Sequence, residues 1–272
     1  MKRKLHFISA LLIMMLMLQG CSAIDSLRLR YGMINQDFEF LKSEDLESII
    51  IQSVRDKGFR FVVTDKIAIG DLYSSLKKAD STEEKSVFAP DYTFEFHMID
   101  GTVIEYDYVA GVSNQDKGNF YNDEKSYRVP ERIDNDLIRN LYTLRKPKYF
   151  ENIYYDSLSE LTGLLKEEYE GMSIGIRIYN DVDTLKYQIS RDIEDFRTQL
   201  LSKGAVLLAS GEKTDIVLEV RTQGYKTNVF KAVVSLRNEK DFTKRSFYIY
   251  GKYSNDISKW DTIISEEKPE GF

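Results

Sequence analysis

The residues of this chain that could do chemistry are few, and four of them fall on one predicted β-hairpin. Apolar and polar residues alternate over 92–98 and again over 103–109, with a turn at Asp100-Gly101 between the two runs. Carboxylate oxygens bind hard cations, and they also attract the basic groups of a protein partner. The polar face of the hairpin, a candidate contact for a cation or a partner, carries Glu95, His97, Glu105 and Asp107.

The register of this hairpin decides which side chains share a face. A two-residue loop would pair Phe96 with Glu105 and mix apolar with charged positions. A three-residue loop with Gly101 in the left-handed conformation pairs Phe96 with Ile104 and keeps one face apolar. We therefore predict the three-residue loop, which sets Glu95 directly opposite Glu105. Like charges at opposed positions destabilise a sheet, so the pair favours a compensating cation or a basic neighbour.

A solvated or lysine-paired sheet face is the competing interpretation of these four residues. Ca²⁺ takes six to eight oxygen ligands, and three carboxylates with one imidazole fall short of that number. The sequence also has no zinc-type ligand spacing and no glycine-rich phosphate loop. We therefore predict neither a resident metal nor a cofactor.

Catalytic side chains are scarce in the rest of the chain. His97 is the only histidine that would remain after loss of a signal containing His6. Two Ser-x-x-Lys matches, at 74–77 and 210–213, lack the accompanying Ser-Asp-Asn and Lys-Thr-Gly elements. We expect a non-enzymatic binding module for a protein or a small ligand. A hydrolase that cuts wall or secreted polymers with two carboxylates stays open as the alternative, and it needs a cleft that holds both acids.

The first twenty-one residues have the order of an export signal. Basic residues 2–4 precede an apolar block over 7–18, and small residues then flank Cys21, the single cysteine. Twelve helical residues reach about 18 Å, well short of the roughly 30 Å hydrocarbon core of a bilayer. The block is therefore too short to serve as a permanent transmembrane helix.

The tetrad Leu18-Gln19-Gly20-Cys21 resembles the lipobox of bacterial lipoproteins. The resemblance implies cleavage before Cys21 and a diacylglyceryl group on its sulfur, and two acyl chains suffice for stable anchoring. We expect residues 1–20 to be a cleaved signal peptide and 21–37 a tether on the outer face of the cytoplasmic membrane, of Gram-positive type. A secretory signal that happens to end near a cysteine is the alternative.

The charge balance narrows the class of partner. The whole chain carries 38 basic and 44 acidic residues, a net charge of -6, and loss of Lys2, Arg3 and Lys4 leaves 35 against 44, or -9. Such a balance disfavours nucleic acid and anionic lipid surfaces, and it tolerates basic patches on proteins. We therefore expect an envelope protein as partner. Acylation of Cys21 would also leave no thiol for a disulfide or a nucleophile.

The apolar pattern predicts an α+β protein of two small domains, 38–147 and 148–272, in which antiparallel hairpins pack against helices. In the first domain we expect helices at 43–58, at 71–79 and from Asp134, and further strands at 59–64 and 125–129.

The second domain is predicted to begin with a helix from Ser157 and a second hairpin over 172–189 that turns at 180–183. The alternative to the second strand of this hairpin is a continuous helix over 184–203. We expect a helix from Ser190 next, followed by four strands, a short helix around Trp260 and a frayed, charged tail. The four strands are predicted at 205–209, 215–222, 228–236 and 245–250. Helix, hairpin and helix would then occur twice, and we favour recurrence of a common pattern over a true repeat.

Residues 62–144 resemble the small YhfM-like domain of Gram-positive lipoproteins. The resemblance is carried by Pro90-Asp91-Tyr92, the Asp100-Gly101 turn and the sequence Ser126-Tyr127-Arg128-Val129-Pro130 before a helix. It implies an extracytoplasmic setting, and it transfers no chemistry.

Overall fold

The computed structural model describes residues 34–112, 117–130, 133 and 146–272. Within them the chain forms two β-sheets and three α-helices, which confirms the predicted α+β class. A helix with the length and apolar character needed to span a bilayer does not occur among these residues.

Sheet I is a seven-stranded antiparallel sheet built from the first half of the chain. Its spatial order is β2-β1-β4-β5-β6-β7-β3. Its strands are β1 (Leu46–Ser53), β2 (Arg60–Val63), β3 (Asp80–Thr82), β4 (Tyr92–Met98), β5 (Val103–Tyr108), β6 (Phe120–Tyr121) and β7 (Ser126–Arg128).

The β4–β5 hairpin has the predicted register. Phe96 pairs with Ile104 and Phe94 with Tyr106, and Gly101 adopts the left-handed conformation at φ 86°. The alternation of apolar residues therefore decided the loop length correctly, because only this register buries all the rings on one face.

One face of sheet I and helix α1 (Lys66–Leu76) enclose the first hydrophobic core. The helix begins after Asp65, whose carboxylate accepts a hydrogen bond from the Ala68 N–H at 2.9 Å and so caps the first turn. The centre of the core is aromatic, with Tyr106 stacked on Phe120 at 4.8 Å between ring centroids. Its fully buried rings include Phe38, Phe94, Phe96, Tyr108 and Tyr127.

The predicted helix at 43–58 is wrong, because this segment contains β1. The three consecutive residues Ile49, Ile50 and Ile51 are β-branched, and β1 pairs with β2 on one side and β4 on the other. All three isoleucines are buried, so both faces of this strand are covered. A continuous apolar run of this kind does not show the alternation that identifies a half-exposed strand.

Sheet II has six strands in the order β13-β12-β11-β10-β8-β9. The strands are β8 (Ile174–Arg177), β9 (Ala205–Leu207), β10 (Ile216–Lys226), β11 (Val229–Asn238), β12 (Lys244–Ser254) and β13 (Lys259–Ser265). Helices α2 (Ser157–Glu168) and α3 (Ser190–Ser202) share the second hydrophobic core with one face of this sheet. The other face of the sheet is left without a helix among the described residues.

The predicted hairpin over 172–189 is also wrong. Strand β8 pairs in parallel with β9 and β10, and the supposed returning strand is a 3₁₀ turn over Leu185–Tyr187. Helix α3 begins at Ser190, so the rival continuous helix over 184–203 is wrong as well. Without a second hairpin, the two halves share no helix–hairpin–helix repeat in the described residues.

Two further predictions, both at the C-terminal end of sheet II, need correction. The segment around Trp260 is strand β13 rather than a helix. The tail is packed rather than frayed, because the Phe272 ring lies 5.2 Å from that of Tyr248.

At the start of the described chain, the Asn35 N–H donates to the Lys77 carbonyl at 2.8 Å, and Phe38 is buried. The chain is therefore packed from residue 35 onward. The predicted helix from Asp134 lies outside the described residues.

The two sheets meet at the buried carboxylate of Asp91, just before β4. Asp91 Oδ1 accepts from Arg55 Nη1 at 2.6 Å and from the Ser190 N–H at 2.8 Å, and Oδ2 accepts from the Ala110 N–H at 2.9 Å. The Ser190 hydroxyl donates to the Ala89 carbonyl at 2.7 Å. An acid of sheet I therefore lies at the N-terminus of α3, where the helix dipole favours negative charge.

Removal of this carboxylate should destabilise the protein strongly. We expect Asp91→Ala to lower the free energy of unfolding by about 3–5 kcal/mol, because it leaves the half-buried Arg55 and two buried N–H groups without their acceptor. Urea unfolding measures this change.

The matched control is Asp80→Ala, which breaks an exposed ion pair with Arg128. We expect a loss of at most about 1 kcal/mol there. Equal losses in the two variants would contradict a special role for Asp91.

Candidate functional site

The acidic residues singled out in the sequence lie together on the outer face of sheet I, opposite the core. We call Glu95, His97, Glu105 and Asp107 the acidic face. Glu95 stands directly across from Glu105, as predicted. On the other side, Glu95 pairs with Ile50 of β1, which in turn pairs with Val62 of β2. One row across four strands therefore runs from an exposed valine to two opposed carboxylates.

His97 is the nearest partner of the acidic pair. Its Nε2 lies 2.8 Å from Glu95 Oε2, and both side chains are about 30% exposed. Across the hairpin from His97 stands Val103, a half-exposed aliphatic residue. The face therefore places an imidazole, carboxylates and apolar surface beside one another.

Glu105 and Asp107 form no ion pair within the described residues. Burial raises the pKa of Asp107, and the negative charge of Glu105 raises it further, while Lys85 lowers it. The burial has a visible origin, because Asp107 pairs with Tyr121 of β6, which a small apolar cluster of Val109 and Val112 covers. The acidic face thus carries negative charge that its own neighbours leave largely uncompensated.

The arrangement is a row on a flat sheet rather than a cage. The described residues contain no group of three or more His, Cys, Asp or Glu side chains that could hold a metal ion.

Asp181, which the sequence places in a turn, is a buried structural acid. Its Oδ1 accepts from the Thr222 N–H at 2.9 Å, and its Oδ2 accepts from three hydroxyls, those of Thr222, Tyr154 and Thr184, at 2.8 to 3.1 Å. Burial raises its pKa and these hydrogen bonds lower it. Asp181 joins the loop after β8 to β10, whereas the neighbouring Asp183 is exposed.

The hydrolase alternative needs a cleft that holds two acids. An open groove of 770 Å³ runs along the exposed side of α2, and its lining residues are Glu160, Gly163, Leu164, Lys166, Glu167, Glu170 and Lys203. Neither the acidic face nor Asp181 lines this groove. The acids that do line it are Glu160, Glu167 and Glu170.

Relief of the repulsion between Glu95 and Glu105 should stabilise the protein. We expect Glu105→Gln to raise the free energy of unfolding at pH 7 by about 0.2–1 kcal/mol, because opposed like charges destabilise a sheet. The pKa of Asp107 should fall, since Glu105 is one of the groups that raise it. A carboxyl group whose pKa is raised in the folded state lowers the free energy of unfolding as the pH rises through that pKa. The Glu105→Gln variant should therefore lose less free energy of unfolding than the wild type over that pH range. Urea unfolding from pH 4 to pH 7 checks both effects.

Glu47→Gln, at an exposed position of β1, is the control and should change stability little. A Glu105→Gln variant less stable than the wild type at pH 7 would show that a favourable contact of Glu105 outweighs the repulsion.

Residues 42–147 match the family model described as YhfM protein. The match confirms the resemblance seen around Pro90-Asp91-Tyr92, and it starts earlier than 62, so that β1 and β2 belong to it. It covers less than half of the 272-residue chain. No curated protein and no solved structure matches the chain. The part of the chain that builds sheet I and carries the acidic face is thus the part that matches the YhfM family.

Proposed function

We propose that this chain is a lipid-anchored envelope protein of two small domains, one around each sheet, and that the acidic face of the first domain binds a basic protein partner. The molecular function is therefore recognition rather than catalysis.

The uncompensated charge of the acidic face is the observation that carries this proposal. Glu105 is exposed and has no cationic partner within the described residues, and Glu95 contacts only the His97 imidazole. A basic partner would add favourable Coulomb energy and would remove the repulsion between the two glutamates. Part of the binding free energy would then come from removing a repulsion that destabilises the free protein.

Apolar surface beside the charges supports a protein as the occupant. Val62 is 58% exposed and Val103 is 47% exposed, and both lie on the same side of the sheet as the glutamates. Protein interfaces combine apolar area with charged groups at their margin, whereas a bare cation needs only oxygen ligands. A segment with basic and apolar side chains fits both features of this face.

The anchor sets where the partner would be found. Asn35 is hydrogen-bonded to Lys77 at the end of α1, so about thirteen residues after Cys21 would be left as tether. A chain of that length spans at most about 45 Å. With the anchor on the outer face of the cytoplasmic membrane, the partner would lie within this reach of the bilayer.

Acylation of Cys21 is directly measurable. In the native host, labelled fatty acid should be incorporated into the wild-type protein and not into Cys21→Ala, because the sulfur is the only acceptor of the diacylglyceryl group. The variant should also fail to remain with the membrane fraction. Equal labelling of both proteins would contradict the anchor.

The partner surface can be mapped with a photo-crosslinking amino acid placed singly at Val103 or at Glu105 on intact cells. We expect both positions to give adducts with the same protein, identified by mass spectrometry. Glu95→Lys should reduce adduct formation about tenfold or more, because like charge opposes association.

The control position is Lys78, which is exposed beyond the end of α1 on the far side of sheet I. Equal adducts from Lys78, or none from the two hairpin positions, would remove the acidic face as the binding surface.

A further inference from the structure

The outer face of sheet II is basic, although the chain as a whole is acidic. Strands β10, β11 and β12 point a set of cations away from the second core, and none of them forms an ion pair within the described residues. We call this set the basic face; it consists of Arg221, Lys226, Lys231, Lys244 and Lys252.

The register places these cations in one strip along the strands. Lys226 and Lys252 both stand beside Val229, at one end of the sheet. Lys231 follows two residues further along β11, and Arg221 pairs with Val233 two residues beyond that. A strand of eleven residues extends roughly 35 Å, so the strip is long and narrow.

Few acids interrupt the strip. Glu219 is held by Arg177 at 3.1 Å, and Glu239 is paired with Arg237. Asp261 of β13 stands across from Lys252 at one edge. The positive charge of the central strands is therefore largely uncompensated.

Hydrogen-bonding and aromatic groups lie within the same strip. Ser235 and Ser246 are paired across β11 and β12, and both are exposed. Tyr250 receives two ammonium groups over its ring, from Lys231 at 5.5 Å and from Lys252 at 5.3 Å. Cations with nearby hydroxyl donors are suited to phosphate oxygens, which accept several charge-assisted hydrogen bonds.

The chain itself already places an acidic segment on this face. The sequence 266–272 contains three glutamates and one lysine. Its Gly271 carbonyl accepts a hydrogen bond from Lys231 Nζ at 2.8 Å, and its Phe272 ring contacts Tyr248 and Tyr250. The segment turns at Gly271, where φ is 84°, and it contacts the strip through a carbonyl group and a ring, so the strip accommodates a chain segment of net negative charge.

We propose that the basic face binds a linear anionic polymer linked by phosphodiesters, which lies along β11 and β12. The distribution of charge favours a linear polymer over a bilayer surface. A flat bilayer would contact the edges of the sheet as well as its centre, but the outward residues of the edge strand β13 are Lys259, Asp261, Ile263 and Ser265, which together carry no net charge. On the other side of the strip, Arg177 of β8 is neutralised by Glu219, and the outward residue of the edge strand β9 is the apolar Val206.

The test uses the full chain and fluorescently labelled poly(glycerol phosphate), with fluorescence anisotropy as the readout. We expect binding that weakens roughly 10- to 100-fold between about 50 mM and about 200 mM salt, as for proteins that neutralise several phosphates. Lys231→Gln combined with Lys252→Gln should weaken binding about tenfold or more at the lower salt concentration. If that variant misfolds, Lys226→Gln with Lys244→Gln removes two exposed cations of the same strip.

The matched control is Lys57→Gln with Lys78→Gln, which removes the same net charge from exposed positions near sheet I. It should leave affinity within about twofold of the wild type. The proposal is overturned by absence of binding, by equal weakening in the two double variants, or by phosphatidylglycerol vesicles that displace the polymer through Lys231 and Lys252. The last result would assign the basic face to the membrane.

Discussion

The carboxylate of Asp91 collects three donors that come from three separate segments of the chain: the Arg55 guanidinium and the N–H groups of Ala110 and Ser190. Burial of an ionised carboxylate costs several kcal/mol unless such donors surround it. Burial raises its pKa, while Arg55 and the two backbone N–H groups lower it. Because one of these donors begins α3 and the others belong to the sheet I half, the contact is satisfied only when the two sheets are packed together.

This joint fixes the relation between two surfaces of opposite charge. The acidic face lies on the outer side of sheet I, and the basic face lies on the outer side of sheet II. In each half, the described helices pack on the opposite side of the sheet. A net charge of -6 therefore conceals two outer faces of opposite charge. The two proposed binding surfaces are therefore separate parts of one chain.

The alternation of apolar and polar residues explains which parts of this structure could be predicted from the sequence. The alternation around Gly101 specified the β4–β5 hairpin, its loop length and the opposition of Glu95 and Glu105, because one register alone buries the rings. Strand β1 was missed because burial on both faces removes alternation from its isoleucines. Strand β8 was predicted as the first strand of a hairpin, but its parallel pairing was missed, since its partners β9 and β10 lie some thirty and forty residues further along the chain.

Long-range contacts explain what the sequence did not reveal about the sites. Ser190 lies 99 residues from Asp91, and no local pattern connects the two. The basic face depends on the register between β10, β11 and β12, which sets Lys226, Lys231 and Lys252 side by side. Composition could not reveal a basic face on an acidic chain, because net charge averages over surfaces that the fold separates.

Native-state hydrogen exchange tests most directly whether Asp91 joins the two halves into one body. The amide protons of Ala110 and Ser190 donate to the same carboxylate from opposite sides of the joint. If the joint opens only with the whole structure, both amides should exchange with the same free energy, close to that of global unfolding. A Ser190 amide that exchanges far faster than that of Ala110 would contradict it, because α3 would then detach while sheet I stays folded.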